Sequence, residues 1–380
     1  MRICLMTPTF LPLVGGTEKA ADMLVTGLRA RGHDVRVLAQ APPRGMQEPT
    51  LDYPVTRFKR MPAHHLWLEE LCIPIWKLHR RWPFEVALSF GSYPIGYAAT
   101  LLKRRLNYKA ILCPRGNDLY PKSHLWKKPR ALSLTRKGYR NADRIIGISQ
   151  WVDDRLVEEL GAGNVPPIDR VFNGIDLAQL DRQLEQAATH RPAFTLPEKF
   201  ILHLARVTPV KQQLLAMQGI IPLAEALRQR GMGYVFVGEG QDLPRLQELI
   251  KEHQLEDVVF ALGTRTGMDK AWLFRHATMM VSSSREEACP NVVIESMASG
   301  LPMLASDISP HRELIESRGW GMVYRLNEPS DLADKLMQML DADLSSYRQI
   351  ALSRRDEFAL ANMIEGYERV CQKVLAEPSR

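Results

Sequence analysis

Two successive series of short apolar runs, separated by segments of helical period, constrain this chain more than any other feature of its sequence. The first series opens with a strand-like run at residues 2–6, and the loop Leu11-Pro12-Leu13-Val14-Gly15-Gly16 follows it. Thr17 is placed to cap a helix with Glu18 in its first turn. Ala21, Leu24, Val25 and Leu28 share one face of that helix, Gly32 ends it, and residues 34–38 form the next apolar run. Further runs lie at 85–89, 110–113, 144–148 and 170–172, with helical patterns at 95–105 and 151–160 between them. Strands joined through helices run parallel, so the alternation predicts a doubly wound α/β sheet.

The polar stretch 183–199, which holds two prolines, reads as a linker, and after it the rhythm restarts. Strand candidates fall at 200–204, 234–237, 258–260, 279–282 and 302–305, with helical segments at 223–230 and 243–252 among them. A chain of 380 residues is long enough for two such domains. The expected division is 1–190, 191–360 and a helical tail, 361–380, packing back on the first domain.

Several classes are set aside by what the chain lacks. Cys4, Cys72, Cys113, Cys289 and Cys371 lie far apart, with neither a zinc-type spacing nor a disulfide framework, which fits a reducing compartment. The apolar stretch Ile3-Cys4-Leu5-Met6 stops at Thr7-Pro8, too short for an export signal, and no run approaches a bilayer span. A cytoplasmic protein is expected. Charge is uneven: +10 over residues 1–190 and −3 over 191–380. Either the first half meets something anionic, such as phosphate or a membrane surface, or it carries a solvated basic face. The segment 66–82, rich in Trp, Leu and Arg, reads either as an interfacial amphipathic helix or as a packed helix lining a cleft. His64 and His65 read as surface residues. Asp341-Ala342-Asp343 has a spacing found in metal sites but falls between surface helices, with Asp343 placed to cap the second; no metal or cofactor is expected.

The chemistry concentrates in Glu287-Ala288-Cys289-Pro290-Asn291-Val292-Val293-Ile294-Glu295, which follows a strand ending in Val281-Ser282-Ser283-Ser284. Pro290 or Asn291 suits the first position of a helix that Gly300 would close. Backbone N–H groups around Asn291 and Val292 would then favour a diphosphate. Glu287 before the helix and Glu295 within it could touch a sugar and a ribose; by spacing alone they could equally be a capping carboxylate and a solvated helix residue.

This segment, continuing through Ser296-Met297-Ala298-Ser299-Gly300-Leu301-Pro302 to Ala305-Ser306-Asp307, resembles the Glu-(x)7-Glu motif of retaining glycosyltransferases of the GT-B fold, in particular glycosyltransferase family four. Arg206 and Lys211, in Leu204-Ala205-Arg206-Val207-Thr208-Pro209-Val210-Lys211, resemble that family's cations for the donor diphosphate. Gly15-Gly16 resembles its glycine loop, where a backbone amide approaches donor phosphate. Asn173-Gly174-Ile175-Asp176 and Val237-Gly238-Glu239-Gly240 match further segments in the same order. One departure is Arg115, in Cys113-Pro114-Arg115-Gly116-Asn117-Asp118, where many relatives carry histidine. Arg115 and Asp118 are acceptor-side candidates, and Arg115 could instead be a structural ion-pair partner.

The resemblance implies two Rossmann-like domains with a cleft between them, the acceptor on the first and the nucleotide sugar on the second. It implies metal-independent, retaining transfer of a hexose-like sugar from a nucleotide diphosphate donor. Within it, Arg206 and Lys211 stabilise the leaving diphosphate, Glu287 contacts the transferred sugar, Glu295 binds the ribose, and Gly16, Asn291 and Val292 touch the donor. The implied acceptor is a glycan or lipid-linked molecule of polysaccharide or lipopolysaccharide synthesis, with peripheral contact to the inner membrane and no nucleic-acid partner. Alternatives on the same fold are a sugar phosphorylase, a nucleotide-sugar epimerase or a non-catalytic nucleotide-sugar-binding protein.

Overall fold

The computed structural model describes residues 1–59, 68–116, 118–120 and 128–378, with the side chains of 68–70 excepted. His64, His65, Trp67 and Asn117 lie outside the described residues. The chain forms two compact units, Met1–Gly174 with Leu360–Arg380, and Ile175–Ala359.

The first unit contains β1 (Arg2–Thr7), α1 (Gly16–Ala30), β2 (Asp34–Gln40), β3 (Val55–Phe58), α2 (Leu68–Arg81), β4 (Val86–Phe90), α3 (Ile95–Leu106), β5 (Lys109–Cys113), α4 (Pro129–Asn141), β6 (Arg144–Gly147), α5 (Gln150–Leu160) and β7 (Ile168–Arg170). Its strands pair in parallel in the order β3-β2-β1-β4-β5-β6-β7. Helix α1 starts two residues earlier than expected: Gly15, in extended conformation, occupies the capping position in place of Thr17, and Glu18 accepts a hydrogen bond from the Thr9 hydroxyl rather than serving the helix end alone.

The second unit runs through α6 (Leu177–Ala187), β8 (Lys199–Leu204), α7 (Gln213–Ile220), α8 (Ala224–Gln229), β9 (Met232–Val237), α9 (Leu243–Glu252), β10 (Val259–Ala261), α10 (Gly267–His276), β11 (Met279–Ser282), α11 (Asn291–Ala298), β12 (Met303–Ser306), α12 (Ser309–Leu314), β13 (Gly321–Tyr324), α13 (Pro329–Asp341) and α14 (Leu344–Arg354). The parallel order is β10-β9-β8-β11-β12-β13. Asp343 caps α14, accepting from the Ser345 amide at 3.0 Å. In both sheets the order reverses beside the first strand of the unit, between β1 and β4 and between β8 and β11. Loops leaving the carboxyl ends of two such strands diverge to opposite faces and open a crevice, where open α/β sheets bind ligands.

The division between units falls at 174/175 rather than at 190. Helix α6, expected as part of a polar linker, is helical because Asp176 caps it through the Gln179 amide at 2.8 Å. It packs on α10 and is tied there by His190 to Asp269 at 2.7 Å, so it belongs to the second unit. The C-terminal helix α15 (Leu360–Ala376) belongs to the first, where Met363, Ile364, Tyr367, Val370, Cys371 and Val374 join the core of β1, β4 and α1. A Cβ at Gly27 of α1 would stand 2.1 Å from Ile364, so glycine permits this close helix–helix approach.

Candidate active site

Lys211 and Glu287 meet at the β8/β11 switch point, and Glu295 lies in the helix that follows the Glu287 loop. Lys211 lies in the loop after β8 and Glu287 in the loop after β11, and the ammonium donates to the Glu287 carboxylate although 76 residues separate them. Both side chains are largely buried, 18% and 13% exposed. Burial alone would raise the Glu287 carboxyl, but the adjacent Lys211 charge and hydrogen bond, with lesser help from His311 and the Ser284 hydroxyl, hold it below the usual carboxylate range. It is therefore a carboxylate at neutral pH.

The Lys211 loop is fixed from beneath by a chain of buried groups. Ser283 Oγ donates to the Lys211 carbonyl at 2.5 Å, which spends its proton. His203 Nε2, 3.2 Å away, must then be the donor to Ser283, leaving Nδ1 to accept from the Tyr234 hydroxyl at 3.0 Å. Burial, followed by the Lys211 charge, lowers the His203 pKa to about 3, so the ring stays neutral and the donor order persists. Gln213 braces the same loop, donating to the Arg206 carbonyl at 2.9 Å. Arg206 itself is exposed and forms no side-chain hydrogen bond or ion pair among the described residues.

The motif Val237-Gly238-Glu239-Gly240 serves this loop too. Gly238 has φ +144°, and a Cβ there would lie 2.0 Å from the Ala205 carbonyl; at Gly240 it would lie 2.1 Å from that of Val207. The two loops are thus in backbone contact, with the Val207 amide donating to the Glu239 carbonyl at 2.9 Å.

Helix α11 begins as the sequence indicates: Pro290 is the extended capping residue, Asn291 the first helical one, and Gly300 at φ +67° closes the end. Asn291 and Val292 therefore stand in the first turn, where the Val293 and Ile294 amides donate to the Pro290 carbonyl at 3.0 and 3.4 Å. Glu295 sits one turn on, where Lys270 of α10 donates to its Oε1 at 2.7 Å. Buried His311, at the start of α12, donates from Nδ1 to the Ser306 carbonyl at 2.8 Å, and its Nε2 has no partner among the described residues. Burial outweighs the nearby Glu287 charge and lowers its pKa to about 4.

Gly16, the first residue of α1, and Arg115 and Asp118, after β5, belong to the first unit. Asp118 is buried and its carboxylate is engaged: Oδ2 accepts from the Ser92 amide (3.0 Å), the Ser92 hydroxyl (2.7 Å) and the Tyr139 hydroxyl (2.9 Å), while Oδ1 takes the Arg115 amide at 3.3 Å. This carboxylate ties the Arg115 backbone to Ser92 and Tyr139. The Arg115 guanidinium stacks over Phe90 at 4.6 Å and donates to Asn173 Oδ1 at 2.8 Å. Asn173 thus explains part of the Asn-Gly-Ile-Asp segment, and Asp176 explains the rest as the α6 cap.

His203, Gln213, Ser283, Lys270 and His311 were not singled out by sequence reasoning. Their apolar or helical settings hide them, and their partners lie on other elements. Among the described residues no cluster of three or more His, Cys, Asp or Glu is placed to hold a metal, and no helix is long and apolar enough to cross a membrane. Cys4, Cys113 and Cys371 are buried, and burial pushes their thiols up.

Residues 15–174 match the family described as glycosyl transferase 4-like domain, and residues 187–355 that described as glycosyl transferases group 1. A GDP-mannose-dependent alpha-mannosyltransferase of Mycobacterium tuberculosis is 23% identical over 335 aligned positions, covering 86% of this chain and 85% of the relative. The N-acetyl-alpha-D-glucosaminyl L-malate synthase of Bacillus anthracis is 21% identical, with 97% of each chain covered. Among solved structures, sucrose-phosphate synthase from Thermosynechococcus elongatus superposes with a TM-score of 0.79 at 18% identity over 99% of both chains. Anabaena HepE in complex with UDP gives 0.76 at 16% identity, over 98% of this chain and 100% of that one. The two matched families, in sequence order on two parallel-sheet units of the GT-B fold, place this chain in glycosyltransferase family four, as a nucleotide-sugar-dependent glycosyltransferase.

Proposed function

We propose that the second unit holds the donor's nucleotide diphosphate and that the first carries the acceptor side. In this reading Arg206 and Lys211 neutralise the diphosphate as it leaves, Glu287 faces the transferred sugar, Glu295 binds the ribose, and the first turn of α11 at Asn291 and Val292 meets phosphate. The observation that carries it is the Lys211–Glu287 pair. A cation and a carboxylate, both largely desolvated, stand at the sheet's ligand-binding edge, with exposed Arg206 on the same loop. Charges kept out of water are costly unless a partner compensates them, and a diphosphate bound there gains from donors already fixed in place. Similar proteins are named for GDP-mannose or are bound to UDP, so the test begins with GDP, UDP and their sugars. Arg206→Ala and Lys211→Ala should each weaken diphosphate binding in calorimetry about ten- to a hundredfold, the worth of a charge-assisted hydrogen bond. Glu287→Gln should lower turnover more than it lowers nucleotide affinity, and Glu295→Ala the reverse. Unchanged diphosphate affinity in both cation variants would refute the assignment.

A lipid-linked acceptor of envelope glycan synthesis is favoured by one surface of the first unit. On α2, Leu71, Ile75 and Leu78 face the core, while Ile73 and Trp76 are 51% and 38% exposed and Arg80 stacks over Trp76 at 5.0 Å. Exposed Lys77 and Arg81, with Leu101, Arg104 and Arg105 on the adjoining α3, complete a basic, apolar face suited to a headgroup boundary. Binding to anionic vesicles, weakening with salt and lost in Trp76→Ser/Arg80→Ser, is expected; equal binding to neutral vesicles would overturn it.

A further inference from the structure

The second glutamate of the motif is not alone in the structure, and its partner was not legible in the sequence. Lys270 Nζ lies 2.7 Å from Glu295 Oε1, with both side chains 28% exposed. The ammonium also lies 5.5 Å from the centre of the buried Phe274 ring, one turn further along α10. Helices α10 and α11 flank β11 in the chain, so the pair links the element that enters this strand to the one that leaves the loop after it. An ion pair this exposed contributes little to stability. Its more definite consequence is geometric. A free glutamate side chain samples many rotamers, and ordering one when a ligand arrives costs affinity. Lys270 has already fixed one oxygen, which leaves Oε2 to accept from a ligand hydroxyl. The ammonium has three N–H groups and has spent one on Oε1, so it can also donate to a hydroxyl oxygen beside that carboxylate.

We infer that Lys270 is the positioning residue for ribose recognition, and that the Lys270–Glu295 pair reads the vicinal diol of a ribonucleotide by an accepting carboxylate and a donating ammonium. The inference rests on the reading of Glu295 as the ribose ligand. It makes the pair a filter for ribo- over deoxyribonucleotides, because removing one hydroxyl leaves a prepared partner unsatisfied. Discrimination of that kind is large when a site is built to hydrogen-bond a hydroxyl.

The test is calorimetric affinity for UDP and GDP beside their 2′-deoxy counterparts, on the full chain. Wild type is expected to prefer the ribonucleotide of the base it binds by tenfold or more. Lys270→Met should lower ribonucleotide affinity about tenfold while leaving deoxyribonucleotide affinity within twofold, and Lys270→Arg should restore most of the preference. If Lys270 bound phosphate, or merely held α11 in place, Lys270→Met would weaken both series alike, and the inference would fall. A preference lost in Glu295→Ala but intact in Lys270→Met overturns the role of Lys270 and leaves Glu295 as the ribose ligand. Equal binding of both series by wild type removes the ribose reading of Glu295 and this inference together.

Discussion

Neutralising both members of the Lys211–Glu287 pair should cost less than the sum of neutralising each alone, by an amount that depends on pH. In Lys211→Met the Glu287 carboxylate loses the cation that offsets its burial, and its side chain is only 13% exposed. Breaking a buried pair from one side costs about 3–5 kcal/mol. An upper bound follows from the carboxylate's alternative, which is to take up a proton. From its ordinary value of 4.5 that escape costs about 3 kcal/mol at pH 7 and about 1 kcal/mol at pH 5. Since Glu287 is held below 4.5 in the native protein, the stability the pair supplies is present above that value and is lost as pH falls. The expected penalty for Lys211→Met is thus about 3 kcal/mol at pH 7, shrinking to about 1 at pH 5. Glu287→Gln leaves a lysine whose flexible stem can turn to water, costing about 1–2 kcal/mol. The double variant Lys211→Met/Glu287→Gln removes both charges and should recover about 2 kcal/mol relative to the sum of the singles. A chain of two units need not unfold in one step, so the readout is native-state hydrogen exchange of amides in β8 and β11. Strict additivity, or a Lys211→Met penalty as large at pH 5 as at pH 7, would refute the argument.

Acid should destabilise the second unit well before its carboxylates protonate. His203 and His311 titrate at about 3 and about 4 in the folded chain and near 6.5 unfolded, so the unfolded state binds more protons as pH falls below 6.5. The two together should cost up to about 3 kcal/mol per pH unit between roughly pH 6 and 4, and His311→Leu should halve that slope in urea titrations of the unit. Gly238→Ala should destabilise by more than about 2 kcal/mol and weaken nucleotide binding, because the new methyl would push the Ala205 carbonyl and with it the Arg206 loop. Sugar transfer should survive EDTA, since Arg206 and Lys211 supply the charge that a metal would otherwise bring; loss of activity restored by added magnesium or manganese would count against this.

The elements that were legible in the sequence are those whose pattern is local. The central strands β1, β4, β5, β8, β9 and β11 are buried on both faces and read as continuous apolar runs, and α11 carries its own capping proline and closing glycine. The short edge strand β3 and β13, the last of its sheet, are only partly buried, so Val-Thr-Arg-Phe and Gly-Met-Val-Tyr gave no run to see. The 183–199 stretch was misread in part because α6 buries so little of itself that its sequence is polar, although Asp176 marks its start. Asp118 illustrates the other limit. Its residue type and place suggested a ligand contact, while its actual partners, Ser92 and Tyr139, come from segments 26 and 21 residues away.

Topology supplies what spacing alone cannot at the Glu-(x)7-Glu motif. The chain runs from β8 through β9 and β10 and returns to place β11 in parallel on the other side of β8, so the loops after β8 and β11 leave the same end of the sheet side by side. That adjacency turns a 76-residue separation into the Lys211–Glu287 ion pair. The helix entering β11 and the helix following its loop then bring Lys270 to Glu295. Each glutamate of the motif is met by a lysine from a different element, one pair at the proposed diphosphate and sugar, the other at the proposed ribose. Two acidic residues separated by seven others would otherwise repel an anionic nucleotide; paired in this way, they leave oxygens to accept hydroxyl groups while the neighbouring ammonium groups and exposed Arg206 offset the negative charge. The motif therefore depends on partners outside it, and the same nine residues on a strand of different neighbours would not be expected to form this site.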